Sequence, residues 1–340
     1  MKRQIAVMPQ KETNSSSLSI SANARIQQTL RGIIPPLITP LRDRDTLDVA
    51  GLERLIEHIL AGGVHGVFVL GTTGEAPSLS YRLRRQVIEV TCRRVAGRVP
   101  VLVGVTDTAF VESVNLARFA AEAGADAVVA SAPYYFPAGQ PELLEYFRRL
   151  IRELPVPLVL YNIPTLTKIQ FEHETVAQLL ASEKVLGIKD SSGSLPYLRK
   201  ILKVASAHPD RSVLVGAEDL LVEGLAAGAH GGVVGGALID PRLYVELYGA
   251  CRERKRKQIR ELRSRMRQLG RIYKVGQNAS GPVKGIKCAL SLLGICDDHM
   301  AEPLSRLGPE AREQVRLVLE SLGLYQGQFG HAHAAEVAKC

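Results

Sequence analysis

The segment GVHGVFVLGTTGE, residues 63–75, joins the end of a helical pattern to a short apolar strand and then to a polar turn. Its first part recurs at 124–128 and at 228–232, each time with a glycine after a helix, a short polar step and a strand. Recurrence of this kind indicates a repeating αβ unit.

Eight short apolar segments are predicted to be strands, and longer amphipathic stretches separate them. They lie near 33–38, 67–70, 101–103, 127–130, 158–160, 185–188, 213–215 and 232–234. Continuous apolar runs are typical of parallel strands that are covered on both faces. Eight such units within about 220 residues predict an α/β fold, a closed (β/α)8 TIM barrel. A doubly wound open sheet is the alternative, but no Gly-rich GxGxxG turn follows the first strand.

The remaining segments flank this barrel, which we place at 32–251. Residues 1–31 are polar and predict a flexible arm. Their many serines and few acids are compatible with an organellar transit peptide but not with a secretory signal. Three helical patterns, near 252–270, 282–294 and 308–322, predict a C-terminal helical region over 252–324, with a flexible tail at 325–340.

Charge and cysteine content narrow the classes of function. Much of the net charge of +9 lies in 252–271. Apolar residues recur there at helical spacing, so we expect an amphipathic helix with a solvated basic face and no nucleic-acid partner. No apolar run approaches the roughly 20 residues of a membrane span, which predicts a soluble protein. Five scattered cysteines without a CxxC pair predict free thiols in a reducing, cytoplasmic setting.

Polar residues at the carboxyl ends of the strands are the candidates for chemistry, because barrel active sites lie at that end. Lys189 ends the sixth strand, where partial desolvation would lower the pKa of its amine and make it a nucleophile. Tyr161 ends the fifth strand and could move protons if a cation, or a hydroxyl relay through Thr72 or Tyr135, assists its phenol. A surface lysine and a core tyrosine are the structural alternatives.

Two glycine-containing stretches are further candidates. Residues 71–75 offer hydroxyl and backbone N–H groups that suit a substrate carboxylate, or else form a tight turn in which Glu75 caps a helix. Residues 231–236 could hold phosphate in a phosphosugar enzyme, or could simply bring two backbones together. We expect Tyr134 to be structural. The histidines show no metal-ligand spacing, so neither a metal nor a cofactor is predicted.

Four motifs together resemble the dihydrodipicolinate synthase and N-acetylneuraminate lyase superfamily of class I pyruvate aldolases. They are GTTGE at 71–75, PYY at 133–135, YNIP at 161–164 and GIKDSSG at 187–193. The resemblance extends from about residue 32 to residue 322. It implies a (β/α)8 barrel with a C-terminal helical extension and a homotetramer that is a dimer of dimers.

The resemblance also implies roles for individual residues. Lys189 would form the Schiff base, and Tyr161 would act as acid and base. Thr72 and Thr73, on the turn that begins at Gly71, would hold the pyruvate carboxylate, and Thr72 would also relay protons.

Two further roles and one departure follow from the same resemblance. Tyr135 would reach into the site of a neighbouring subunit, and the carbonyl group near Val233 would face the lysine. The dihydrodipicolinate synthases carry an arginine two residues after the YNxP motif, which grips the carboxylate of aspartate semialdehyde. Leu166 occupies that position here. Loss of the bidentate contact costs about 2–5 kcal/mol, and Lys168 could replace it only as a point charge.

The sequence therefore predicts a Schiff-base-forming carbon–carbon lyase that joins or separates pyruvate and an aldehyde. Substitution of leucine for the arginine favours the 2-keto-3-deoxy sugar acid type of substrate. One alternative is a dihydrodipicolinate synthase, or 4-hydroxy-tetrahydrodipicolinate synthase, that holds aspartate semialdehyde through another group. A second alternative is a barrel that binds a 2-oxo acid without turnover.

Overall fold

The computed structural model describes residues 30–276 and 278–325. The predicted arm and tail lie almost entirely outside these ranges. The strands β1 to β10 lie at Gly32–Ile33, Leu41–Asp43, Thr46–Leu47, Val67–Val69, Val101–Gly104, Ala127–Ser131, Leu158–Asn162, Val185–Asp190, Ser212–Val215 and Gly231–Gly232. The α-helices α1 to α12 lie at Val49–Ala61, Tyr81–Val95, Phe110–Glu122, Gln140–Glu153, Pro164–Thr167, His173–Leu180, Leu195–Ala205, Leu221–Ala226, Pro241–Arg252, Arg256–Leu269, Gly281–Leu292 and Pro309–Ser321. Short 3-10 helices lie at Ala76–Ser78, Glu218–Leu220, Gly235–Leu238 and Gly270–Lys274.

Eight of the strands form one parallel sheet. Their order is β1-β10-β9-β8-β7-β6-β5-β4, so consecutive strands are neighbours and helices connect most of them. Beyond β1, the N–H of Leu37 donates to the carbonyl of Phe68 in β4 at 2.7 Å. The prediction of an α/β fold with eight parallel strands is confirmed.

The first strand differs from its prediction. It was expected at 33–38, but β1 ends at Ile33, and beyond it only an isolated bridge between Pro36 and Phe68 is found. Pro35 and Pro36 carry no N–H group and cannot donate to a neighbouring strand. The sequence also gave no sign of the small antiparallel hairpin β2–β3, which follows this segment.

The apolar residues form two clusters. The larger one packs helices against the sheet and includes the buried face of α1, whose first turn is capped by the Asp48 carboxylate at 3.1 Å from the Gly51 N–H. The smaller one contains residues from several strands, among them Phe68, Tyr161 and Val233. Strands with apolar neighbours on both faces explain why their sequences are continuous apolar runs.

The helices after β10 depart from prediction in one place. The predicted helix at 252–270 corresponds to α10, which begins only at Arg256; Arg252 is the last residue of α9, and Arg254 in the turn between the two helices has a positive φ of 58°. Leu262, Met266 and Leu269 of α10 are buried, as the apolar spacing predicted. Helices α11 and α12 lie close to the predicted 282–294 and 308–322.

Two general properties follow from the described ranges. None of their helices combines the length and apolar character that spanning a bilayer requires. Cys92, Cys251, Cys288 and Cys296 are free thiols.

Candidate active site

Lys189 and Tyr161 lie side by side at the carboxyl ends of two neighbouring strands. Their Cα atoms are direct partners in the register of β7 and β8. The Nζ atom of Lys189 lies 3.8 Å from the centroid of the Tyr161 ring and 5.0 Å from that of Phe68. Only 5% of the Lys189 surface is exposed. The two residues that the motifs singled out therefore form one rung of the sheet.

The next rung fixes the register of the same two strands. Asn162 and Asp190 are Cα partners, and the Asn162 amide donates to the Asp190 carboxylate at 2.8 Å. The side-chain Oδ1 of Asn162 accepts the Phe171 N–H at 3.2 Å, and the Ser192 hydroxyl donates to Asp190 at 3.0 Å. Burial raises the pKa of Asp190, while these hydrogen bonds oppose the rise. Side chains of successive strand residues point to opposite faces, so this polar pair lies behind the Lys189–Tyr161 rung.

The phenol of Tyr161 is buried, and three hydrogen-bonding side chains, one of them a cation, surround it. Burial alone would raise its pKa, but the charge of Lys189 and hydrogen bonds with Thr72, Lys189 and Ser191 outweigh burial. The net pKa is lower than the ordinary value of about 10. The Thr72 hydroxyl lies 3.4 Å from the Tyr161 hydroxyl, longer than an ordinary O–H···O hydrogen bond, and its role in a proton relay stays a prediction.

Gly216, which follows β9, makes room for the lysine. A Cβ atom at this position would lie 2.0 Å from Oγ of Ser191 and 3.0 Å from Cε of Lys189. Its N–H donates to the Asp190 carbonyl at 2.7 Å, which keeps this backbone against β8. Any side chain here would displace the groups around the amine.

The turn at 71–75 is compact. The Gly74 N–H donates to the Gly71 carbonyl at 3.1 Å, and a Cβ atom at Gly71 would lie 2.6 Å from the Phe68 ring. Thr72 is exposed and lines the cavity described below, whereas Thr73 is half-buried and is not among the lining residues. The role of both threonines in binding a carboxylate stays a prediction.

Glu75 occupies the N-cap position of the 3-10 helix Ala76–Ser78, but its side chain makes no capping hydrogen bond. Its carboxylate forms a buried ion pair with Lys287 of α11, and its Oε2 accepts the Ala301 N–H at 2.8 Å. Lys287 is fully buried and also donates to the His299 carbonyl at 2.6 Å. Burial lowers the pKa of Lys287, and the carboxylate of Glu75 opposes that shift. The C-terminal helices are thus tied directly to the polar turn.

A cavity of about 540 Å³ opens beside the Lys189–Tyr161 rung. Lys189 is not itself a lining residue, but its amine lies against the ring of Tyr161, which lines the cavity. In the described part of the chain no Lys, Arg or His side chain lines it, and its one acid, Glu75, is already paired. The lining residues come from the turn after β4, the ends of β5 to β7, the segment 163–167, the segment 278–283 and Leu304.

Leu166 is one of these lining residues. It lies in α5 and is 44% exposed, whereas Lys168 is exposed but does not line the cavity. Among the described lining residues, no cation therefore lies where the resemblance implies an arginine.

The two neighbouring tyrosines behave differently from each other. Tyr134 lines the cavity, so our expectation that it is purely structural was too narrow. Tyr135 is 70% exposed and contacts the ring of Phe136, which is 80% exposed. Tyr135 does not reach the cavity of its own chain, and its role in a neighbouring subunit stays a prediction. Val233 is buried in the cluster that contains Tyr161.

The glycines at 231–236 are explained by packing. A Cβ atom at Gly231 would lie 2.0 Å from the carbonyl oxygen of Gly32, and one at Gly236 would lie 1.9 Å from the hydroxyl of Tyr244. These contacts favour the alternative that the stretch brings two backbones together. Among the described residues, no group of three or more His, Cys, Asp or Glu could hold a metal ion.

Sequence reasoning missed several contributors to this site. Ser191 lies inside a motif that we quoted, but nothing marked its hydroxyl as a partner of Tyr161. Gly216 follows an apolar strand, a position that could have identified it. Lys287 gave the clearest missed signal, since it is a cation directly flanked by the apolar residues Ile286 and Cys288 of α11.

Comparisons with known proteins agree with this geometry. Residues 29–322 match the Dihydrodipicolinate synthetase family. A dihydrodipicolinate synthase structure from Bacteroides thetaiotaomicron superimposes with a TM-score of 0.84 and 50% identity, over 86% of this chain and 99% of that one. The 4-hydroxy-tetrahydrodipicolinate synthase of Methanothrix thermoacetophila is 34% identical over 88% of this chain and 99% of its own length. A probable 2-dehydro-3-deoxy-D-pentonate aldolase of Escherichia coli is 33% identical over 86% and 97%.

These relatives are named as synthases and aldolases, and the match covers nearly all of the described residues. The chain belongs to the dihydrodipicolinate synthetase family, a family of lyases.

Proposed function

We propose that this protein is a pyruvate-dependent class I aldolase in which Lys189 forms the Schiff base. The observation that carries the proposal is the rung formed by Lys189 and Tyr161, with the lysine amine 3.8 Å from the tyrosine ring centroid. Amines of buried lysines act as nucleophiles towards carbonyl carbons. A phenol whose pKa is lowered can exchange protons beside the amine.

The proposed sequence of bonds uses these two groups. The amine of Lys189 adds to C2 of pyruvate, and Tyr161 supplies the proton that allows water to leave, which gives the imine. The imine draws electrons from C3, which loses a proton to the phenolate of Tyr161 and becomes an enamine carbon. That carbon attacks the aldehyde carbon, and the phenol protonates the new alkoxide. Water then hydrolyses the imine and releases the product, and cleavage follows the same steps in reverse.

Borohydride trapping tests this proposal. Reduction in the presence of pyruvate should fix a pyruvate-derived adduct on the peptide that contains Lys189, as read by mass spectrometry. Lys189→Met should abolish the adduct, and Lys184→Met should keep it. Lys184 is the matched control because it immediately precedes β8 and donates to two backbone carbonyls. A folded protein that forms no adduct would refute the mechanism and leave the binding-only barrel.

We further propose that the aldehyde is uncharged and that the substrates are 2-keto-3-deoxy sugar acids. The support is the absence of a cationic side chain from the described lining, together with hydroxyl and amide groups from Thr106, Ser131, Asn278 and Ser280. Such groups suit the hydroxyls of a sugar, whereas a carboxylate would lack a charged partner. Turnover of 2-keto-3-deoxygluconate should exceed turnover of pyruvate with aspartate semialdehyde.

The second candidate is a 4-hydroxy-tetrahydrodipicolinate synthase. The observation in its favour is the 50% identity to a structure that is named as a dihydrodipicolinate synthase. It requires a cation from outside the described lining to bind the carboxylate of aspartate semialdehyde. A coupled assay that shows clear preference for this aldehyde would establish the second candidate over the first.

The proposal also covers the closure of the barrel, the C-terminal helices and the assembly of subunits. We infer a closed (β/α)8 barrel, supported by the Leu37–Phe68 hydrogen bond, with α10 to α12 as a C-terminal helical extension. We also infer a homotetramer in the cytoplasm, in which the exposed rings of Tyr135 and Phe136 enter a neighbouring subunit. Analytical ultracentrifugation of the protein and of Tyr135→Ala would test the assembly.

A further inference from the structure

A second cavity, of about 620 Å³, lies at the opposite end of the sheet from Lys189. Arg31 immediately precedes β1 and His230 immediately precedes β10, which places the cavity at the amino ends of the strands. It is also bounded by α8, the end of α9 and the start of α10. We call it the arginine cavity, since four arginines line it: Arg31, Arg252, Arg254 and Arg256.

The four arginines lack acidic partners within the described ranges. None of them forms an ion pair there, and no Asp or Glu lines the cavity. Basic residues close by do have partners: Lys255 pairs with Glu253, and Arg263 pairs with Glu223. Glu253 lies between Arg252 and Arg254 in the sequence, but its carboxylate pairs with Lys255 and does not line the cavity. Four like charges around one cavity repel each other, and an anion between them would remove that repulsion.

Helix dipoles do not explain this arrangement. Cations are favourable near helix C-termini, which accounts for Arg252 at the end of α9. Arg256 begins α10, where the dipole disfavours a cation, and Arg31 precedes a strand. The helix dipole therefore does not account for the positive charges of Arg31 and Arg256.

Arg254 occupies a backbone conformation that favours glycine. Its φ is 58°, and it terminates α9 in a turn in which the Lys255 N–H donates to the Ala250 carbonyl at 3.0 Å. Glycine is the usual residue at this position of a helix end. An arginine here lines the cavity at the expense of backbone strain.

His230 adds a neutral donor to the cavity. Its Nδ1 accepts the Val213 N–H at 3.0 Å, so the ring proton resides on Nε2. Burial lowers the pKa of His230, and the charges of Arg31 and Arg252 lower it further. The same charges that keep this ring neutral would attract an anion.

We propose that the arginine cavity binds a small organic polyanion, a molecule with at least two phosphate or carboxylate groups, separately from the pyruvate site. Guanidinium groups form paired hydrogen bonds with both kinds of group. The volume falls within the range of about 300–1,000 Å³ that is usual for small-molecule sites. Val222, Leu225 and Ile259 provide apolar surface for the organic part of the ligand.

Isothermal titration calorimetry on the full chain at physiological salt tests the proposal. The probes are pyrophosphate, ATP without Mg²⁺ and citrate, with adenosine as the uncharged control. We expect saturable binding of one molecule per chain for ATP or citrate, and none for adenosine. Comparison of ATP with citrate distinguishes a phosphate ligand from a carboxylate ligand. The borohydride adduct on Lys189 should still form at a saturating probe concentration.

A matched pair of double variants locates the binding. Arg252→Gln with Arg256→Gln should weaken binding at least about tenfold. Lys257→Gln with Arg260→Gln removes the same charge from exposed positions of α10 that do not line the cavity, and should weaken binding less than about twofold. Equal weakening by the two double variants would show diffuse attraction only and overturn the proposal. The proposal would also be overturned if the wild-type protein bound none of pyrophosphate, ATP and citrate, or if it bound long RNA alone.

A measurement on the wild-type protein tests the proposal even if one of the variants does not fold. The imidazole resonances of His230 should shift when ATP or citrate is added, and the pKa of His230 should rise because the anion offsets the charges of Arg31 and Arg252. Resonances that do not respond to any of the three anions would also overturn the proposal.

Discussion

The buried ion pair between Glu75 and Lys287 makes the strongest prediction about stability. Lys287→Met keeps the length of the side chain but removes the charge from a site that is fully buried. Glu75, which is only 3% exposed, would retain the Ala301 N–H as a partner and lose its cation. Breaking one side of a buried pair costs about 3–5 kcal/mol, because the remaining charge is uncompensated. At about 2 °C per kcal/mol for a chain of this size, the Tm should fall by about 6–10 °C.

Thermal and urea unfolding, followed by circular dichroism, measure this loss. Lys284→Met is the matched control, since Lys284 lies one turn earlier on α11, is partly exposed and forms no ion pair in the described ranges. Lys284→Met should lower the free energy of unfolding by less than about 1 kcal/mol. The double variant Glu75→Gln with Lys287→Met removes both charges and should recover most of the loss.

The same measurements can refute the reasoning. If Lys287→Met and Lys284→Met destabilise equally, the buried pair does not hold the C-terminal helices to the polar turn. If the double variant is as unstable as Lys287→Met, lost packing rather than an uncompensated carboxylate is the cause. Activity adds an independent signal, because loosening the turn at 71–75 should raise the KM for pyruvate.

Three further predictions concern the site. Lys189→Met removes the nearest cation from Tyr161, so the pKa of the phenol should rise, as read from tyrosinate absorbance; an unchanged or lower pKa would contradict our account of that shift. Gly216→Ala places a methyl group on Ser191 and the lysine side chain and should lower kcat by about 10²-fold with little change in Tm; full activity would show that the crowding is relieved without consequence. Leu166→Arg should raise kcat/KM for aspartate semialdehyde, relative to 2-keto-3-deoxygluconate, by at least about tenfold; no change would place the acceptor aldehyde elsewhere.

Local periodicity predicted the sheet, because each buried strand must be apolar regardless of its partners. The eight segments were recognised for this reason, and so was α1 with its Asp48 cap. The first strand was predicted too long because the apolar pattern hides the missing N–H groups of Pro35 and Pro36. The helix break at Arg254 was missed because a positive φ at a non-glycine residue leaves no pattern in the sequence.

The residues of the candidate site also fall into two groups, those that the sequence could identify and those that it could not. Lys189 and Tyr161 could be identified because each ends a strand, and strand ends converge in any parallel barrel. Lys287 and the cavity segment 278–283 are far from them in sequence, and no period links them to the sheet. Gly216 is the clearest example of a residue that the sequence could not identify. It matters only through its close approach to Ser191, which follows a different strand.

The two rungs that join β7 and β8 have a consequence for evolution and for design. The reactive pair and the polar pair behind it occupy consecutive positions, so a shift of one residue in either strand would exchange the inward and outward sets. In the proposed reaction, activation of pyruvate depends on this register at the carboxyl ends of β7 and β8. Segments 163–167, 278–283 and Leu304 also line the cavity, and none of them belongs to the sheet. We therefore expect changes in these segments to alter which aldehyde is accepted without changing the register of the two strands.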